Sequence, residues 1–348
     1  MAVLFMDGYD YYNTVSQRYE VVSLSNAGLS ISNDGRFGAN AIGIRGDSYA
    51  STGVQKILAS NYQTLIVGVA FYLYSTTDAF DLLALMDGTS AQVNIGLSSG
   101  TRKLEVRRGG GPGTGTLLGT GSTTLMLNTW YYIEAKVKID PSTGTVEVRL
   151  NGNSGSPEIS LTGQNTRNTA NSYANRLQLG YTVFGGSFPR MLWDDVYVCD
   201  TTGSPTNDFL GDVRIETKYP SGAGNSAQFT PSAGSNYQCV DETPPNDDTD
   251  YVEDGTVGHK DTYAYQDLTA TAGTVYAVQI CPRARKTDAG LRSIQSIARL
   301  SGTEVNSADD VLASSYQYFW DLRETKPGGG AWTITDFNNA EFGPYVSA

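Results

Sequence analysis

Histidine is nearly missing from this chain: His259 is the one example in 348 residues. That excludes a His-rich metal centre and leaves one imidazole for acid–base work. No GxSxG nucleophile elbow accompanies it, so a Ser-His-Asp site has no signature here. Cysteine is scarce as well. Cys199, Cys239 and Cys281 are far apart, odd in number and free of CxxC spacing. A disulfide framework and a zinc site are both excluded, and buried thiols are expected. No apolar run is long enough to span a bilayer. The opening residues, MAVLFMDGYDYYN, lack the basic segment and long apolar core of a secretory leader. Synthesis in a cytoplasm is therefore expected. Positive charge is the minority sign, with 24 Lys and Arg against 36 Asp and Glu, a formal net charge of −12. Such a balance disfavours an extended nucleic-acid surface. The small basic clusters Arg102, Lys103, Arg107, Arg108 and Arg283, Arg285, Lys286 read as solvated or subunit-facing charge. No convincing helical run exceeds three turns, and GGGPGTG lacks the Gly-Lys-Ser/Thr ending and following helix of a phosphate loop.

Glycine (39) and tyrosine (22) are abundant. Gly-rich turns joining Tyr-, Val- and Thr-bearing segments predict an all-β protein. The clearest stretch is LMLNTWYYIEAKVKIDPSTGTVEVRLNG, residues 125–152. It predicts strands over Trp130–Ile139 and Thr145–Leu150, with a turn at Pro141-Ser142-Thr143-Gly144. LIVGVAFYLY, residues 65–74, suits a central strand buried on much of both faces. Met191–Val198, MLWDDVYV, predicts a closing strand. Alternation keeps consecutive side chains off one face, so Asp194 and Asp195 are expected to diverge, one to backbone and one to solvent or an ion. By the same rule Glu134 shares a face with Lys136 and Lys138, which predicts an exposed charged strand face. Gly109–Gly121 reads as a flexible, glycine-rich excursion, a mobile hairpin or an assembly loop.

Four segments in order, YQTLIVGVAFYLY, LNTWYYIEAKVKID, GTVEVRLNG and MLWDDVYVCD, resemble the laminin-G-like, or concanavalin-A-like, lectin and glucanase superfamily. Trp130, the turn Asn151-Gly152, and Asp195 with Val196 carry the resemblance, which is greatest to members in tailed-phage structural proteins. It implies an N-terminal jelly-roll sandwich over residues 1–202, followed by a smaller β-rich domain over 203–348. FLGDVRIETKYPSGAG, SNYQCVDE and WTITDFNNAEFG extend the phage resemblance into that second part. The implied role is a virion structural protein without catalysis, decorating the capsid or sitting at the tail or neck. It would dock in multiple copies, as a homo-oligomer, with other phage structural proteins.

Two alternatives stand beside it. Glycan binding needs only aromatic rings and polar loops. The candidate contacts are Tyr9, Tyr11, Tyr12, Tyr181, Phe184 and Phe188. Glycoside hydrolysis needs paired acids on one strand face, and no ExDxxE counterpart is present. In the second part, Asp247, Asp248, His259, Arg283 and Arg285 are candidate interface residues. No cofactor is called for. Calcium is the one ion the acidic loop around Asp247, Asp248 and Asp250 suits by composition, although the EF-hand order is missing.

Overall fold

A computed structural model describes residues 3–23, 29–45, 52–75, 79–152, 155–181 and 190–348. The chain divides into two compact units, Met1–Ile215 and Glu216–Ala348. The division follows Ile215 rather than Thr202.

The first unit is all-β. Its strands are β1 (Val3–Asp7), β2 (Val21–Ser23), β3 (Leu29–Ser32), β4 (Ala41–Arg45), β5 (Thr52–Tyr62), β6 (Thr64–Ser75), β7 (Phe80–Asp87), β8 (Ser90–Leu97), β9 (Lys103–Arg108), β10 (Thr116–Thr124), β11 (Trp130–Lys138), β12 (Gly144–Leu150), β13 (Ile159–Gln164), β14 (Ala174–Tyr181) and β15 (Arg190–Cys199). They form an eight-stranded sheet, ordered β13-β12-β11-β6-β15-β4-β3 with β1 also on β15, and a seven-stranded sheet, ordered β10-β9-β8-β7-β14-β5-β2.

Period-two alternation explains the packing. In β11, Tyr131, Ile133, Ala135 and Val137 are buried on the face that carries Phe71, Val69, Val67 and Leu65 of β6. The seven-stranded sheet contributes its own apolar row, Val54, Leu179, Leu83, Ile95 and Val106, paired strand to strand. Burying an aliphatic side chain of this size contributes about 1.5–3 kcal/mol.

The hairpin expected from 130–150 is present as β11 and β12, paired from Ile133↔Leu150 to Lys138↔Thr145. Asp140 organises its turn by accepting the backbone N–H of Ser142 (2.9 Å) and Thr143 (2.7 Å). Those bonds pull its pKa down to about 2. The segment expected to be a hairpin or assembly loop is a turn at 109–115 that joins β9 to β10 as a hairpin. The turn packs on the sheet: a Cβ on Gly111 would lie 1.9 Å from Asp81 Oδ1.

The second unit contains β16 (Pro220–Ala227), β17 (Thr230–Pro231), β18 (Val252–Glu253), β19 (Asp261–Tyr265), β20 (Val278–Ile280), β21 (Arg283–Ala284), β22 (Ser293–Leu300), β23 (Thr303–Asn306), β24 (Asp310–Val311), β25 (Gln317–Tyr318), β26 (Asp321–Arg323) and β27 (Glu341–Val346). Its main sheet runs β16-β19-β27-β22-β23, with β24 on β22. Trp332 and Phe342 lie in its core with Ile280 and Leu300, and Phe337 packs against them.

Candidate functional site

The outer face of the eight-stranded sheet carries the densest chemistry of the first unit. Pairing places Tyr132 opposite Ala70 and Glu134 opposite Gly68 on β6. Asp194 also lies opposite Ala70, and Tyr197 opposite Gly68. Gly68 is obligatory here. A Cβ at this position would meet Tyr197 Cε1 at 2.1 Å and Tyr132 Oη at 2.7 Å.

Asp194 and Asp195 are both buried, 2% exposed each. The expected divergence fails because β15 is irregular between Asp194 and Tyr197 and Asp195 has φ 50°, a bulge geometry that re-aims side chains. Asp194 accepts the backbone N–H of Arg36 (2.8 Å) and of Asp195 (2.7 Å). Asp195 accepts the backbone N–H of Ile215 (2.7 Å) and contacts the Arg36 guanidinium at 3.3 Å. Burial raises both pKa values, and for Asp194 the charge of Asp195 adds to the rise.

Glu134 is not on an exposed face. It is 1% exposed, and Oε1 accepts from Tyr197 Oη (2.5 Å) and the backbone N–H groups of Leu210 (2.9 Å) and Gly211 (2.8 Å). Residues 208–215 therefore form a strap over this half of the sheet. Arg36 holds the strap at Asp212 and the Val213 carbonyl, and Arg149 lies 3.9 Å from the Phe209 ring centroid. These carboxylates accept backbone N–H groups, and Asp195 also ion-pairs with Arg36, so their chemistry is that of a clamp.

The next row of the same face is of another kind. Trp130, Tyr72, Leu192, Gly43 and Ser30 lie side by side across β11, β6, β15, β4 and β3. Trp130 and Tyr72 are half-buried with ring centroids 5.5 Å apart, and Tyr74, also half-buried, lies 4.6 Å from Tyr72. Three partly exposed aromatic rings thus adjoin one another on one sheet face. The signal was in the sequence: Tyr72 and Tyr74 are two apart on one strand, and Trp130 begins another.

The aromatic contacts expected from sequence lie elsewhere. Tyr9, Tyr11 and Tyr12 are core residues, 0%, 8% and 2% exposed. Tyr12 Oη donates to Asp7 (2.6 Å), and Tyr19 Oη donates to Tyr9 Oη (2.9 Å). They offer no ring face to a ligand. Tyr181 ends β14; its side chain, with Phe184 and Phe188, lies outside the described residues.

In the second unit four of the five expected residues come together. Arg283 is bidentate to Asp247 (2.5 and 2.7 Å), and Arg285 contacts Asp248 at 2.6 Å. The Arg283 guanidinium holds the Asp247 pKa below the usual carboxylate value. His259 instead pairs with Asp254 at 2.8 Å. Among the described residues no group of three or more His, Cys, Asp or Glu side chains is placed to hold a metal ion, so the acidic loop gains no support as a calcium site. Nor is any helix among them long and apolar enough to cross a membrane.

No family model and no curated protein matches the chain. Solved structures that match include the cellulose induced protein Cip1, at 15% identity and TM-score 0.39, covering 51% of this chain and 89% of that one. The alginate lyase Aly36B matches at 14% identity and TM-score 0.36, covering 50% and 86%. A carbohydrate esterase of the Shiga toxin-encoding bacteriophage phi24B matches at 16% identity and TM-score 0.34, covering 56% and 99%. The expectation of a virion structural protein without catalysis is not borne out by these names. Their names give a cellulose induced protein, an alginate lyase and a carbohydrate esterase, and none of the three names a capsid, neck or tail component. At these TM-scores they assign this chain neither a reaction nor a substrate.

Proposed function

We propose that the first unit binds a carbohydrate chain along the row Trp130–Tyr72–Tyr74. The observation that carries this reading is the run of three half-buried rings on one strand-paired face. The C–H face of a pyranose is apolar and packs on an aromatic face, while its hydroxyls stay hydrated or reach polar neighbours. Ser30 and the Tyr hydroxyls supply polar groups along the row, and Gly43 keeps it low between Leu192 and Ser30. The strap side of the face is closed by its own clamp, so the ligand lies on the aromatic side.

We further propose that this unit is a concanavalin-A-like jelly roll. Two antiparallel sheets of eight and seven strands, each joining runs of consecutive strands to strands far apart in sequence, support that assignment.

Affinity electrophoresis of the full chain through gels containing different soluble polysaccharides tests the binding reading. Retardation by at least one polysaccharide, weakened by Trp130→Ala, supports it. Unretarded migration across neutral and anionic polysaccharides contradicts it. Reducing-end release in the same incubations reads whether a bound chain is also cut.

A further inference from the structure

The second unit contains a cavity of 670 Å³ that the aromatic row does not involve. Its size falls in the range of small-molecule sites. Arg283, Arg285 and Tyr316 of its lining belong to a fixed ladder of guanidinium and phenol groups. Arg283, at the start of β21, pairs across to Tyr318 of β25 and lies 5.0 Å from that ring centroid and 5.4 Å from that of Tyr316. Arg285 lies 4.9 Å from the Tyr316 centroid. Asp247 locks Arg283 in a two-bond fork. Asp248 Oδ1 accepts from both Arg285 Nη2 (2.6 Å) and Tyr316 Oη (3.0 Å). Every member is thus held in place before any ligand arrives, which lowers the ordering cost of binding.

The chemistry of the walls narrows the ligand class. Carboxylates outnumber cations around the cavity, and the two arginines of the ladder are already neutralised by aspartates, so a polyanion is repelled. Guanidinium and carboxylate groups would lose hydration to a purely apolar ligand. A sugar hydroxyl meets both demands, because it donates to a carboxylate and accepts from an N–H at once. The Asp248 side chain is 65% exposed and that of Asp247 37%, so both keep surface open to such a ligand. Tyr251 and Tyr316 add half-buried aromatic lining.

We propose that this cleft is a binding site for a short neutral oligosaccharide, separate from the aromatic row of the first unit. Calorimetry on the full chain carrying Trp130→Ala weakens the first site, and Asp248→Ala in the same background assigns the remaining heat to the cleft. The probes are cello-, xylo-, malto- and N-acetylated chito-oligosaccharides, with oligogalacturonate as the anionic comparison. Saturable one-to-one binding of a neutral probe is expected, with oligogalacturonate at least about tenfold weaker. Asp248→Ala, a change at an exposed side chain, should weaken the neutral probe about tenfold while leaving the thermal midpoint in place. The proposal is overturned if no neutral probe binds the Trp130→Ala chain, if oligogalacturonate binds as well as the neutral probes, or if Asp248→Ala binds like its parent.

Discussion

Asp194 and Asp195 are neighbours in sequence, yet both carboxyl groups are buried and both engage Arg36. The left-handed backbone of Asp195 makes this arrangement, and Arg36 serves both, through its backbone N–H and its guanidinium.

A pH dependence follows. Burial raises the pKa of both groups above the unfolded carboxylate value, and Asp10 adds repulsion to each. The folded chain therefore binds protons more tightly than the unfolded one. The pair's contribution is fullest at acid pH and is lost as pH rises from about 4 through the raised values; the two titrate as a unit. Asp194→Asn removes one of these charges but leaves a poorer acceptor for two backbone N–H groups. Its stability penalty relative to wild type should shrink between pH 5 and pH 9, read from urea midpoints. A penalty that grows with pH contradicts the assignment.

The strap depends on Glu134. Glu134→Ala leaves the backbone N–H groups of Leu210 and Gly211 without their acceptor, at a cost of about 2–4 kcal/mol. Faster hydrogen exchange at those two amides, with β11 itself still protected, is the expected pattern. Unchanged exchange would mean the clamp does not hold the strap.

Gly68→Ala should be among the most damaging single-methyl additions in the first unit. Its Cβ would overlap Tyr197 and Tyr132, and forcing both rings aside costs about 1–3 kcal/mol or more. Tyr197→Phe in the same background would not relieve it, because the clash is with the ring. Thermal midpoints of the single and double variants check this.

Strand placement was largely legible, because period two runs unbroken through WYYIEAKVK and an aspartate-led turn follows it. The site was less so. Alternation correctly groups Glu134 with Lys136 and Lys138. Whether that face is solvated depends on residues 208–215, which lie far along the chain and approach through backbone N–H groups that leave no side-chain signature. Asp195 escaped for a related reason: a bulge breaks the alternation that the expectation assumed. The tyrosines at 9, 11 and 12 read as surface because they are polar-tipped, but Asp7 and Tyr19 satisfy two of those hydroxyls inside the core. Tyr72 and Tyr74 carry little signal of exposure, because they alternate with the fully buried Phe71 and Leu73.

The most direct test of the binding account is the affinity of the full chain for its best-retarding polysaccharide, before and after Trp130→Ala. Trp130 is half-buried at the start of β11, so the variant should keep its thermal midpoint within a few degrees. The account predicts that it loses affinity by about tenfold or more, the cost expected of an aromatic anchor. Equal affinity for wild type and a folded Trp130→Ala chain would contradict it.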